Sequence, residues 1–186
     1  MSRPPRNLAA SIHRRLLNGA RERGEDPQFV AQRYAAERFL YRLGQSRHRD
    51  QFVLKGAMLF AMWGGSAYRP TRDLNFAGYG DPDGAAVLER IREICLVSVP
   101  DDGLVFDVEN LRIEPIRDEV EYGGLRAVFE ARLGAVQIRM QLDVGFGNAI
   151  EPGAVRRSVL ASSPVPSPRV YPPKPRRRRD STRTSR

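Results

Sequence analysis

Sulfur chemistry is nearly absent from this 186-residue chain, which has one cysteine, Cys95. A single cysteine excludes an internal disulfide and any metal cluster built on cysteine. Histidine is as scarce: His13 and His48 are the only two, too far apart in sequence to suggest a zinc site. No apolar run approaches the ~20 residues that a membrane helix needs. The opening stretch MSRPPRNLAASIHRR has no hydrophobic core of the signal-peptide kind. These absences make a reducing cytoplasm the expected compartment and a membrane partner unexpected.

What is present is ordinary for a globular domain, with 41% apolar and 28% charged residues. The length allows one domain with a real core. The formal charge of +9 invites a nucleic-acid reading, but position matters. Residues 169–186 carry seven Arg and one Lys against one Asp, leaving the other 168 residues with 23 basic and 21 acidic side chains. The body is nearly neutral and the basic signal belongs to the tail. A run such as Arg176–Arg179 reads first as a solvated tail that sticks weakly to polyanions.

Two helices are expected at the start. Leu8, Ile12, Leu16 and Ala20 recur at helical spacing across Asn7–Arg23, with Gly24 as a stop. A second helix is expected over Pro27–Leu43, capped by Asp26, with Phe29, Ala36, Leu40 and Leu43 on one narrow face. Phe52–Leu54 reads as buried or extended chain. Ala57–Trp63 reads as a short buried helix ending at Gly64 and Gly65, with Met58, Phe60, Met62 and Trp63 as core.

Leu74–Phe76 is a strand candidate. Asp83–Leu96 is a helix with Val87, Leu88, Ile91, Ile94 and Cys95 inward and Glu89, Arg90, Arg92 and Glu93 outward. The second half turns to strands: LVFDV and LRIEPI as two short ones around Asn110, then LRAVFEARL and VQIRMQLDV joined by Gly134-Ala135 as a hairpin. Alternation puts Asp143 on the face opposite Leu142. From Pro164 onward the chain is rich in Pro, Ser and Arg without periodicity, and reads as disordered. The organisation is thus α+β: an N-terminal helical hairpin over residues 1–50, a core of mixed sheet and helices over 51–163, and a basic tail over 164–186.

The stretch GGSAYRPTRDLNFAGYGDP carries the chemistry. Strand spacing puts Asp73 and Asn75 on one face. Asp143 lies on the polar face of a later strand, and three oxygen ligands beside a nucleotide's phosphates are what Mg²⁺ takes. Gly65 and Ser66 would let backbone approach a phosphate, and Lys55, Arg69 and Arg72 are cations near it in sequence. A D-x-N pair is common by chance, so spacing alone leaves open a loop-flanking pair and a solvated Asp143.

The segments FVLKGAMLFAMWGGSAYRPTRDLNF, MQLDVGFGNAI and VYPP together resemble the AbiEii/AbiGii toxin family of nucleotidyltransferases, over roughly Phe52 to Pro173. The resemblance implies a nucleotidyltransferase fold: a small mixed sheet with packed helices. It implies transfer of a nucleoside monophosphate from a nucleoside triphosphate to an acceptor such as tRNA, and a cognate antitoxin as partner. By the match, Ser66 would hold triphosphate, with Gly65, Lys55 and Arg72 beside it. Asp73, position 75 and Asp143 would bind metal.

Two departures from the family pattern stand out. Asn75 occupies a position where the pattern has Asp, which removes a full charge from the expected metal site. After VYPP the chain reads KPRRRRDSTRTSR where the family has a helical C-terminal part. That departure suggests a truncated relative, with a shifted reading frame over the tail as its explanation. The expectation is therefore an impaired nucleotidyltransferase. The alternative is a catalytically inactive, truncated relative that only binds nucleotide or an antitoxin.

Overall fold

The computed structural model describes residues 7–56, 58, 73–116, 124–147, 155–156 and 169–170. Helix α1 spans Leu8–Arg23. Its first free N–H groups are met by Asn7, whose side chain accepts from the Ala10 N–H at 3.0 Å. It stops at Gly24, which takes φ 65° and donates its N–H back to the last turn. Helix α2 spans Pro27–Gln45, with Asp26 accepting from the Phe29 N–H at 2.8 Å.

The expected narrow face of α2 is too modest. Val30, Ala31, Ala35, Ala36, Phe39, Leu40 and Leu43 are all buried, while Phe29 is only half-buried under the Arg33 guanidinium. The reason is position: α2 lies between α1, helix α3 (Gly84–Cys95) and the sheet, so it has more than one side to bury. Small alanines on that wide face let it sit close to its neighbours. Asp83 caps α3, accepting from the Ala85 and Ala86 N–H groups.

The strands are β1 (Phe52–Lys55), β2 (Leu74–Gly78), β3 (Leu104–Ile116), β4 (Gly124–Leu133), β5 (Val136–Gly145), β6 (Val155–Arg156) and β7 (Arg169–Val170). They form one sheet in the order β3-β4-β5-β2-β1-β7-β6. The sheet is mixed, because β2 runs parallel to β5 and β7 parallel to β1, while the other pairs are antiparallel. The fold is α+β, with a helical hairpin ahead of the sheet, as the sequence led us to expect.

Three local expectations are corrected. β3 is one long strand, with a register break in which β3 advances from Asp107 to Arg112 while β4 moves only from Glu130 to Val128. Asn110 sits in that bulge and donates to the Asp107 carboxylate through its side chain and backbone, which absorbs the extra residues without ending the strand. Arg90 is buried rather than outward. Its guanidinium donates to the Tyr79 and Asp81 carbonyls that follow β2 and lies 5.9 Å from the Phe52 ring centroid. Finally, Arg169–Val170 lies in the segment expected to lack structure but pairs with β1 and β6. Backbone donors and acceptors along β1 offer it a ladder. The expected helix over Ala57–Trp63 lies outside the described residues except at Met58, which is helical and buried.

The core lies between the helices and one face of the sheet. Phe39 of α2 sits among Phe76, Phe106 and Phe129, with ring centroids 6.1–6.4 Å away. Tilted and edge-on pairs of this kind suit the ring quadrupoles. Cys95 is in the same core, and burial pushes its thiol up to about 12, so it is an inert packing residue.

One polar cluster fastens α2 to the start of β3. Asp102, 8% exposed, accepts from Arg42 at 2.8 and 3.1 Å and from Arg38 at 2.7 Å. The Tyr34 hydroxyl donates to the Asp102 carbonyl at 2.7 Å. Burial pushes the Asp102 carboxyl up, but the Arg42 and Arg38 hydrogen bonds outweigh it and hold it below the usual carboxylate range.

Candidate functional site

A single row across the face of the sheet turned away from the described helices holds three of the expected site residues. Lys55 of β1 lies opposite Asn75 of β2, and Asn75 lies opposite Asp143 of the neighbouring parallel strand β5. Asp143 lies opposite Arg126 of β4, which lies opposite Glu114 of β3. Residues directly opposite in a sheet share a face, and adjacent strands are ~5 Å apart. The flanking Leu74, Phe76, Leu142 and Val144 are buried in the helix-covered core, so alternation sends Asn75 and Asp143 to the other side.

Asp73 immediately precedes β2, two residues from Asn75, and its charge acts on Arg126. Gly56, with φ 81°, follows Lys55. A Cβ there would stand 3.3 Å from the Asn75 Nδ2, so glycine keeps space against the amide. Gly65, Ser66, Arg69 and Arg72 lie outside the described residues.

The residue that sequence reasoning missed is Arg126. Its Nε donates to one Asp143 carboxylate oxygen and its Nη2 to the other, both at 2.8 Å. Such a bidentate fork fixes the carboxylate's orientation as well as its charge. These hydrogen bonds hold the Arg126 guanidinium above its ordinary value, with burial opposing and the charges of Asp143, Asp73 and Glu114 adding. The pairing could have been counted from the sequence. The two-residue turn Gly134-Ala135 sets Leu133 opposite Val136, and stepping back from it brings Arg126 opposite Asp143.

Asp73, Asn75 and Asp143 offer oxygen donors, the kind Mg²⁺ takes, so the donor set fits that ion in kind. It is one negative charge short at position 75. Among the described residues no group of three or more His, Cys, Asp or Glu side chains forms a candidate metal cluster. No helix among the described residues is long and apolar enough to cross a membrane.

Residues 38–174 match the model of a family of nucleotidyl transferase toxins from type IV toxin–antitoxin systems. The chain belongs to that family, AbiEii. The match begins within α2, ahead of the sequence segments that carry the resemblance.

The fold is similar to the crystal structure of JHP933 from Helicobacter pylori, at 13% identity and a TM-score of 0.46, over 79% of this chain and 53% of that one. It is also similar to a proposed nucleotidyltransferase from H. pylori, at 14% identity and a TM-score of 0.46, over 79% of this chain and 55% of that one. The chain spans about half the length of those structures. A comparison with curated proteins finds no match.

Proposed function

We propose that the chain transfers a nucleoside monophosphate from a nucleoside triphosphate to a hydroxyl of an acceptor such as tRNA, at a rate depressed by Asn75. The observation that carries this reading is the register of Asn75 opposite Asp143 on neighbouring parallel strands, with Asp73 two residues upstream. In the transfer, an acceptor hydroxyl oxygen bonds to the α-phosphorus. The bond between that phosphorus and the bridging oxygen breaks, pyrophosphate leaves with the electron pair, and the hydroxyl proton passes to solvent.

Asp73, Asn75 and Asp143 are the residues that would hold Mg²⁺, which when bound steadies charge on the incoming and leaving oxygens. Lys55 lies at the end of the same row, where its ammonium can meet phosphate oxygens. Gly65, Ser66 and Arg72 complete the phosphate-binding assignment from the family resemblance. A cognate antitoxin is the protein partner that membership in a toxin–antitoxin family implies.

A second reading is a catalytically inactive relative that binds nucleotide or antitoxin without transfer. Asn75, together with the hold of Arg126 on both oxygens of Asp143, favours it. Incubation with each labelled nucleoside triphosphate, Mg²⁺ and a tRNA pool separates the two. Label joined covalently to RNA supports transfer. Triphosphate binding with no label on any acceptor and no pyrophosphate released overturns transfer and leaves the binding role.

A further inference from the structure

Arg126 sits where the row needs a cation. With Asn75 neutral, Asp143 pairs with Arg126, on which the charge of Asp73 also acts, and Lys55 stands at the far end of the row. The guanidinium engages both oxygens of Asp143 in parallel and is itself held by the charges of Asp73 and Glu114. Asp143 is largely enclosed, its side chain 18% exposed against 38% for Arg126, so the carboxylate has little water to exchange for another partner. A divalent ion arriving at Asp143 meets a carboxylate already neutralised and a like charge beside it.

We propose that Arg126 is a positioning residue that acts as a built-in counter-cation for Asp143 and sets how tightly the site takes a divalent metal. The proposal rests on the reading of Asp73, position 75 and Asp143 as the metal donors. In it, Arg126 keeps Asp143 aimed along the row beside Asn75 while no metal is bound. Metal then has to displace at least one of the two guanidinium hydrogen bonds. A charge-assisted hydrogen bond opposing the ion corresponds to a roughly ten- to hundredfold weakening of binding.

The test is Mn²⁺ binding, followed by electron paramagnetic resonance of the free ion and without any turnover. It uses the full chain carrying Asn75→Asp, so that binding is strong enough to measure. Adding Arg126→Gln is expected to tighten Mn²⁺ roughly tenfold or more. Arg126→Lys, which keeps a charge but loses the fork, is expected to fall between, and it carries the test if the Gln variant does not fold. Adding Asp143→Asn is expected to abolish binding. If Arg126→Gln or Arg126→Lys leaves affinity unchanged or weaker while Asp143→Asn abolishes it, the counter-cation role is overturned and the donor assignment stands. If Asp143→Asn leaves Mn²⁺ binding intact, or if Asn75→Asp alone shows none, the donor assignment itself fails.

Discussion

Asn75 and Asp143 lie directly opposite each other on neighbouring parallel strands, although 68 positions separate them in the sequence. The expected catalytic oxygens are brought together by the parallel β2–β5 pairing, which leaves an amide where a charge would serve a metal better. Placing a charge there with Asn75→Asp is expected to raise divalent-ion affinity by about tenfold or more, since a unit charge ~4 Å from another is worth about 1 kcal/mol even in bulk water and twice that beside a divalent ion. Titration with Mn²⁺ at fixed ionic strength measures it.

The Asp102 cluster predicts a large stability effect away from the site. Asp102→Ala leaves Arg42 buried beside Phe106 without its partner, and breaking a buried pair this way costs about 3–5 kcal/mol. Urea denaturation should show it as a lower midpoint with an unchanged slope. Replacing Asp102 and Arg42 together by apolar residues of similar size should cost less than Asp102→Ala alone.

Acid sensitivity follows from the same carboxylates. Asp102 and Glu93 are both held below their ordinary values, Asp102 by Arg42 and Arg38 against the cost of burial, and Glu93 by His48 and Arg47. A depressed carboxylate binds its proton more readily in the unfolded chain. Its contribution to stability is present above the unfolded value near 4 and is lost as pH falls through the folded one. Glu37 has the opposite sign: burial raises it, so its ionisation weakens the fold as pH rises. Glu37→Gln is therefore expected to raise the melting temperature at pH 7 relative to wild type, with the gain shrinking toward pH 4.

Gly78 makes a steric prediction. A Cβ there would stand 2.7 Å from both Val144 and Phe146, closer than side-chain atoms can approach. Gly78→Ala should cost about 1–3 kcal/mol through overpacking, and Phe146→Leu in the same chain should recover part of it. Thermal melts of the single and double variants check this.

Much of this architecture could be read from the chain because its signals are local. Asn7, Asp26 and Asp83 cap helices as their side chains dictate, and a two-residue turn with Gly134 at φ 62° fixes the β4–β5 hairpin. The faces of Asn75 and Asp143 followed from alternation. Their adjacency could only be a conjecture, because nothing local says which strands become neighbours. Arg90 misled for a related reason. It looks like a solvent residue by helical position, and it is buried because distant carbonyls meet its guanidinium. The single long β3 was hidden by Asn110, which resembles a turn residue and instead stabilises a bulge.

Nucleotidyl transfer by this row of side chains, limited at position 75, has a direct readout. It is pyrophosphate release from nucleoside triphosphates, measured for the wild type, for Asn75→Asp and for Asn75→Asp with Asp143→Asn. Release at least tenfold faster is expected with Asn75→Asp, and complete loss when Asp143 is also changed. Equal rates in all three proteins would contradict it.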